Sequence, residues 1–490
     1  MTTVSEILGI NYLVIAPTLS LLLTVIVLLF CTITISTPMY VKKYVSFLGI
    51  LLTLFTIFLK FGLFSTDGVS SYFTEKILLD EFALVGNVII GMVLLFTFNS
   101  FWKTSEMIEN KTTEALILIL MSASGFLLMI DAENFIMLFI GLEIGSISLY
   151  ALAGLNRGDQ LSNEASLKYF LLGSLASCIF VYGIALTYVS LSIIGVYETS
   201  IAINFIGPEN VPLTTFIGLI FIIVGLLFKV AAAPFQAWAP DVYQGSPTGY
   251  VGYMATVAKV SSFIVLARLV AVSLTFIIDQ FDLFFSAVVI LSVLAGALFA
   301  ANQNDLKRLI AYSGVIQSGF ILSGISSGVY GISASTFYLI TYIIQLIGIF
   351  TVFTIVSGQL SSDFQISNIS GLFKENKFIT ITFSIFMLGL AGLPLTSGFV
   401  SKFILITNLW SYERYILVFV LMLTTVAGFY FYLRPIWVAA VEKTENVVEK
   451  IQVKNSDKIL LSVLAALTIY FGLLPNTLVN ITRWMVEGYL

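Results

Sequence analysis

Residues 211–245 read VPLTTFIGLIFIIVGLLFKVAAAPFQAWAPDVYQG. An apolar run long enough for a membrane helix meets Lys229, and Pro234 follows shortly after it. Proline has no N–H to donate, and its ring clashes with the carbonyl four residues back. The helix must kink or break close to Lys229. Unpaired backbone groups at membrane depth are tolerated only inside protein or beside a water-filled cavity. The pattern therefore predicts a charge with a solvated niche of its own. The plainer alternative is a proline kink with a lysine that snorkels to the surface. Lys229 stands too far from the helix end for that to be comfortable.

The same device returns at 383–406, FSIFMLGLAGLPLTSGFVSKFILI, where Gly392, Pro394 and Gly398 interrupt an apolar run ahead of Lys402. Windows of roughly 20 apolar residues give about fourteen membrane spans. Their cores lie near 12–35, 44–64, 82–101, 114–130, 133–155, 164–195, 211–240, 247–272, 283–302, 306–327, 329–357, 377–410, 413–438 and 457–481. The two interrupted spans, 7 and 12, are five apart. Matching interruptions in two halves are the sequence pointer to an inverted-repeat transporter. Spans 4–8 and 9–13 then form two five-helix units, the second upside down because five is odd. Coincidence is the alternative, since glycine and proline are common in membrane helices. The expected fold is an all-α polytopic membrane protein with broken helices 7 and 12. Its parts are residues 1–113 (three N-terminal spans), 114–272 (first repeat), 273–440 (second repeat) and 441–490 (loop and last span).

Composition agrees with this class. Of 490 residues, 59% are hydrophobic and 10% charged, against about 25% charged in soluble proteins. The two cysteines, Cys31 and Cys178, are too few for an iron–sulfur cluster, and the absence of histidine removes the commonest haem and metal ligand. No glycine-rich phosphate loop follows a strand, and no basic patch offers a nucleic-acid surface. The opening MTTVSEILGINY has no Arg-rich leader, so the first span is expected to be kept.

Basic residues orient the chain. Loops after odd-numbered spans carry Lys42, Lys43, Lys103, Lys111, Arg157, Lys307, Arg308, Lys374, Lys377, Arg434, Lys443, Lys450, Lys454 and Lys458. The other side has Lys60, Lys76, Arg414 and Arg483. The positive-inside rule puts both termini outside.

Four lysines and a glutamate remain at membrane depth: Glu143 in span 5, Lys168 in span 6, Lys229, Lys259 in span 8 and Lys402. Each costs roughly 2.5–3.5 kcal/mol at the bilayer centre by insertion scales. A buried carboxylate beside a lysine stays ionised and tunes its partner. A pair whose coupling changes with geometry can load and release a proton, whereas a static pair would serve packing only. Around Lys259 (YVGYMATVAKVSSFIVLARL, 250–269), small and hydroxylated residues suit close packing and water. Lys168 lies about one turn inside its helix, within reach of the inner surface. Gln303, Gln317 and Gln345 are further candidates to hold water, although interhelical hydrogen bonding suffices for any one of them.

Four stretches carry a resemblance: LFKVAAAPFQAWAPDVYQGSPT (227–248), EASLKYFLLGSLASCIFVYGIALTY (164–188), NDLKRLIAYSGVIQSGF (304–320) and LAGLPLTSGFVSKF (390–403). They resemble the antiporter-like membrane subunits of respiratory complex I, NADH:quinone oxidoreductase, and LKYFLLGSLAS points to the subunit 2 (bacterial N subunit) branch. The resemblance runs from about residue 80 to the C-terminus. It implies fourteen helices, inverted repeats and broken helices 7 and 12. It implies that Glu143 modulates Lys229, that Lys259 is the central lysine of a polar axis, that Lys402 ends that axis and that Lys168 stands near the glutamate. It implies proton translocation driven by redox chemistry elsewhere. This chain would hold no cofactor; flavin, iron–sulfur clusters and quinone would belong to partner subunits. The partners would be other membrane-arm subunits, including neighbouring antiporter-like ones, and lipids. The expected membrane is the mitochondrial inner membrane, with both termini on the intermembrane-space side, or a bacterial plasma membrane. Relatives often have histidine where this chain has Gln236 and Gln317, so a proton step here must run through water or lysine. A freestanding Mrp-type sodium/proton antiporter subunit is the rival reading, and a structural subunit with inert ion pairs is a third.

Overall fold

The computed structural model describes residues 11–33, 38–107, 111–357, 364–442 and 451–489. Residues 1–10 of the N-terminal stretch, and Lys443 and Lys450, lie outside these. The described residues form nineteen α-helices and one small hairpin. Helices α1 (Tyr12–Ile33) and α2 (Met39–Asp67) come first. The hairpin follows, with β1 (Ser70–Tyr72) antiparallel to β2 (Ile77–Leu79) and Ser70 opposite Leu79. Next are α3 (Glu81–Met107), α4 (Thr112–Asp131), α5 (Phe135–Ala153), α6 (Gln160–Leu191) and the short α7 (Val196–Ile206).

Span 7 is broken as expected, into α8 (Leu213–Lys229) and α9 (Trp238–Gly245). Then come α10 (Thr248–Ala271), α11 (Asp282–Ala301), α12 (Leu306–Ile325), α13 (Val329–Ser357) and the single turn α14 (Leu372–Glu375). Span 12 is also broken, into α15 (Lys377–Ala391) and α16 (Ser397–Ser411). The chain continues through α17 (Tyr415–Ala440), α18 (Asn455–Leu473) and α19 (Asn476–Glu487).

Among the described residues, eleven helices are long and apolar enough to cross a membrane. The three expected spans outside that number have physical reasons. Spans 7 and 12 are each cut into two short pieces. Span 10, now α12, carries Lys307 and Arg308 in its first turn and is diluted by serines, glycines and Gln317.

Side-chain caps start several helices where the sequence places a polar residue before an apolar run. Asn134 accepts from Met137 N at 2.8 Å, Asp159 from Leu161 N at 3.0 Å, and Asp305 from Arg308 N at 2.9 Å. Such caps satisfy donors that a helix N-terminus leaves free. Lipid tails are as apolar as leucine, so association must come from tight packing and interhelical hydrogen bonds. Accordingly α4 and α5 meet through Gly125, Gly141 and Gly145, where a Cβ would strike opposing backbone or the Phe126 ring. Every residue of α10 is buried, and α13 is nearly so. The centre of the bundle is thus the helix that carries Lys259.

Two basic residues correct the sequence reading. Lys60, counted with the outer loops, is fully buried and forms an ion pair with Asp131 at 2.7 Å. Asp131 ends α4 at the level where α2 passes it, which the linear sequence does not reveal. Lys168 is not among the buried lysines. Its side chain is 42% exposed and is bridged to Glu164 and Asp241, each at 2.6 Å.

Candidate functional site: a row of buried lysines

The break in span 7 begins at the last residue of α8, which is Lys229. Val230 N still reaches Leu226 O, and Ala231 N and Ala232 N fold back on Phe228 O and Leu227 O. Ala231 has φ of 56°. The peptide between Ala233 and Pro234 is cis, and Ala233 N donates to Ser292 Oγ of α11 at 2.8 Å. The freed backbone is thereby tied to a neighbouring helix, as membrane depth requires.

Lys229 is 2% exposed. Its ammonium donates to Tyr150 Oη at 2.8 Å. An aromatic wall closes the niche. Tyr150 meets Tyr169 edge-on at 4.7 Å, Tyr169 stacks on Trp238 at 4.5 Å, and Trp238 Nε1 donates to Phe228 O at 3.0 Å. Glu143 does not form a contact ion pair with Lys229. Ser177 of α6 donates to its carboxylate instead. Tyr150 lies seven residues beyond Glu143 on α5, two turns along one face. That spacing is the signal that sequence reasoning had and did not use.

Lys259 is also 2% exposed. Its ammonium donates to Gly314 O at 2.6 Å, to Ser318 Oγ at 3.1 Å and, at the limit of contact, to Tyr342 Oη at 3.5 Å. The Ser318 hydroxyl also lies 2.7 Å from Val230 O, the carbonyl just past Lys229. Serine 318 thus touches the first break and the central lysine together.

Lys402, 6% exposed, sits in the second turn of α16 and reaches back across the second break. It donates to Leu390 O at 3.1 Å and Ala391 O at 2.9 Å, at the C-terminus of α15. The partial negative charge of a helix C-terminus favours a cation there. Gly392, with φ of 86°, turns the chain out of α15. Gln317 of α12 joins this end, because its amide donates to Tyr432 Oη at 2.9 Å and to Leu390 O at 3.3 Å, and it accepts from Tyr338.

The structure therefore sets Lys229, Lys259 and Lys402 along one side of α12: Ser318 touches Lys259 and the carbonyl after Lys229, Gly314 accepts from Lys259, and Gln317 shares the Leu390 carbonyl with Lys402. Glu143 stands at one end, beyond Tyr150. Lys168 stands apart, about 13.5 Å along α6 from Ser177 at 1.5 Å per residue, and holds α9 through Asp241, which Arg308 also grips at 2.6 Å. Gln345 donates to Ser397 Oγ at 3.2 Å. Gln303 lies past the end of α11, where it accepts from Arg308, and does not enter the row. Gln236 lies in the first break, and its buried Oε1 has no hydrogen-bond partner.

Comparison with known proteins agrees with this architecture. Residues 132–428 match the family described as NADH:quinone oxidoreductase/Mrp antiporter, transmembrane. NAD(P)H-quinone oxidoreductase subunit 2 of Crocosphaera subtropica is 32% identical over 82% of this chain and 77% of its own length. A chain of respiratory complex I from Thermus thermophilus superposes with a TM-score of 0.79 at 27% identity, covering 95% of this chain and 98% of that one. A chain of the Mrp complex from Dietzia shares the fold, with a TM-score of 0.84 at 17% identity over 98% of each chain. The chain belongs to the NADH:quinone oxidoreductase/Mrp antiporter membrane family, within its NAD(P)H-quinone oxidoreductase subunit 2 branch.

Proposed function

We propose that this chain translocates protons as a membrane-arm subunit of an NAD(P)H:quinone oxidoreductase, carrying them along Glu143, Lys229, Lys259 and Lys402. The observation that carries the reading is the array of three buried lysines beside α12. Each ammonium has hydroxyl or carbonyl acceptors and, among the described residues, lacks a contact carboxylate. An inert fold-fixing charge would be expected to carry an ion-pair partner. A lysine held by neutral acceptors has no fixed counter-charge to bind its proton in place.

The driving chemistry lies in partner subunits, with flavin, iron–sulfur clusters and quinone there. Residues 114–272 and 273–440 act as the two halves, each with one broken helix, and 1–113 and 441–490 flank them. Lys168 acts through Asp241 as a positioning residue for α9. The bacterial sources of the relatives at 32% and 27% identity support a bacterial-type energy-transducing membrane, with both termini on its outer side, over the mitochondrial inner membrane. The freestanding antiporter reading has weaker support, because the Mrp likeness reaches only 17% identity.

The test uses the assembled complex in sealed inverted vesicles. Lys229→Ala is expected to lower the proton-to-electron ratio, while Lys458→Ala, an exposed surface change, leaves it alone. Equal and small effects from the two would overturn the assignment. Sodium-dependent proton flux without a redox partner would favour the antiporter.

A further inference from the structure

A second set of ionisable groups lies away from the lysine row, where α2, α4 and α10 end and α3 begins beside the hairpin. Lys60 donates to Asp131 Oδ1 at 2.7 Å, and Asn87 donates to the same oxygen at 2.9 Å. Arg268, buried in the last turn of α10, grips both carboxylate oxygens of Asp80 at 2.8 and 2.5 Å. Its remaining nitrogen donates to Ile130 O at 2.6 Å and Ala132 O at 3.3 Å, on either side of Asp131. Glu81 follows Asp80, and Glu133 follows Ala132; both are buried. All of these helix ends lie on the outer side by the positive-inside reading.

The charges do not balance. Lys60 is matched by Asp131 and Arg268 by Asp80, so among the described residues the Glu81 and Glu133 carboxyls have no cation of their own. Independently, Asp131 Oδ2, Asn87 Oδ1 and Glu81 Oε2 are buried with no hydrogen-bond partner among the described residues. Their residues are 1%, 0% and 8% exposed. A buried acceptor without a donor costs roughly 1–3 kcal/mol. The cluster therefore needs hydrogens that its own side chains do not supply.

Glu133 stands between the cluster and water. Burial pushes its carboxyl up to about 7, against the lowering pull of the Tyr197 N–H and Arg268; Glu198 and Glu75 push it further up. The Tyr197 hydroxyl from α7 meets the Tyr489 hydroxyl at 2.6 Å. Glu198 and Glu75 are exposed. On the inner flank, Arg268 and Lys259 share α10, about 13.5 Å apart at 1.5 Å per residue. Ser262 lies between them, and its buried hydroxyl has no hydrogen-bond partner.

We propose that this cluster is an outer proton station, in which the four carboxyls Asp80, Glu81, Asp131 and Glu133 together hold protons beyond the charge that Lys60 and Arg268 offset, and pass them to outside water by way of Glu133 and Glu198. An arriving proton converts a carboxylate to a carboxylic acid. Loss of that proton to outside water restores the carboxylate. The proposal rests on the proton-translocating reading above.

The experiment takes the assembled complex. Infrared difference spectra across mildly acidic to mildly alkaline pH should show a carboxylic-acid carbonyl band at neutral pH that is diminished in Glu133→Gln and Glu81→Gln. In inverted vesicles, Asp131→Asn should lower the proton-to-electron ratio at least twofold. Should Asp131→Asn fail to assemble, the double variant Lys60→Met with Asp131→Leu decides, because it removes the pair without leaving a lone buried charge. The same loss of pumping is expected from it. A complex with normal pumping in the double variant, and no carbonyl band assignable to the cluster, would show a structural lock and overturn the proposal. If Lys229→Ala is still defective in those vesicles, only the outer station has failed; if Lys229→Ala also pumps normally, the translocation reading has failed with it.

Discussion

Lys229 donates to the Tyr150 hydroxyl at 2.8 Å, so a tyrosine, and not the Glu143 carboxylate, is its direct partner. Tyr150→Phe keeps the ring against Tyr169 and removes the acceptor. A charged donor left without its partner loses about 1–3 kcal/mol. Proton translocation should fall several-fold while the complex still assembles, measured as acidification rate per NADH oxidised. A rate equal to the wild type would remove Tyr150 from the row.

Gly173 of α6 makes room for that tyrosine. A Cβ there would overlap the Tyr150 hydroxyl and ring. Gly173→Ala should therefore move Tyr150 and reproduce the Tyr150→Phe defect, with no new charge and no lost hydrogen-bonding group. Comparing the two variants and their double tests this. Independent, multiplying losses would contradict a shared cause, since mutations acting on one contact are not additive.

Lys402 satisfies the end of α15. Lys402→Met leaves the Leu390 and Ala391 carbonyls without their ammonium, at a cost of about 1–3 kcal/mol. Lys402→Gln retains N–H donors of shorter reach. Methionine should lower complex yield on a native gel more than glutamine does, and both should stop titration at this end. Identical yields would mean that water replaces the ammonium.

These partners mark the limit of what the sequence discloses. The order of apolar runs, the breaks beside Pro234 and Pro394, and the lysines at those breaks follow from local chemistry, because proline and charge act where they stand. The acceptors do not. Gly314 and Leu390 serve through backbone carbonyls, which every residue has, so no letter marks them. Tyr150 was visible at two helical turns from Glu143 but reads as an ordinary aromatic. Lys60 read as an outer loop residue because hydropathy locates a residue along its own helix, not beside which helix it lies.

Lys60 is the sharper case for stability. Lys60→Met leaves Asp131 buried without its cation, and breaking such a pair costs about 3–5 kcal/mol. Lys76→Ala, at an exposed site on the same side, should cost under about 0.5 kcal/mol. Thermal inactivation of the detergent-solubilised complex distinguishes them. Equal midpoints would mean that water penetrates to Asp131.

Glu133 supplies a pH dependence with a defined sign. Its carboxyl titrates at about 7 in the fold and at 4.5 when unperturbed. Between those values the folded chain binds more protons than the unfolded one, so stability from this group is present at low pH and falls as pH rises through that window. At 1.36 kcal/mol per unit, the fall is at most about 3 kcal/mol. Glu133→Gln should flatten the thermal midpoint between pH about 4.5 and about 7. An unchanged slope would rule out Glu133 as its source.

Helix α12 touches Val230 at the first break through Ser318 and Leu390 at the second through Gln317, and it holds Lys259 between them. One rigid rod is thus pinned to both discontinuities. A small roll of that rod would lengthen contacts on one flank as it shortened them on the other. Movement at either break must therefore be felt at the other through α12.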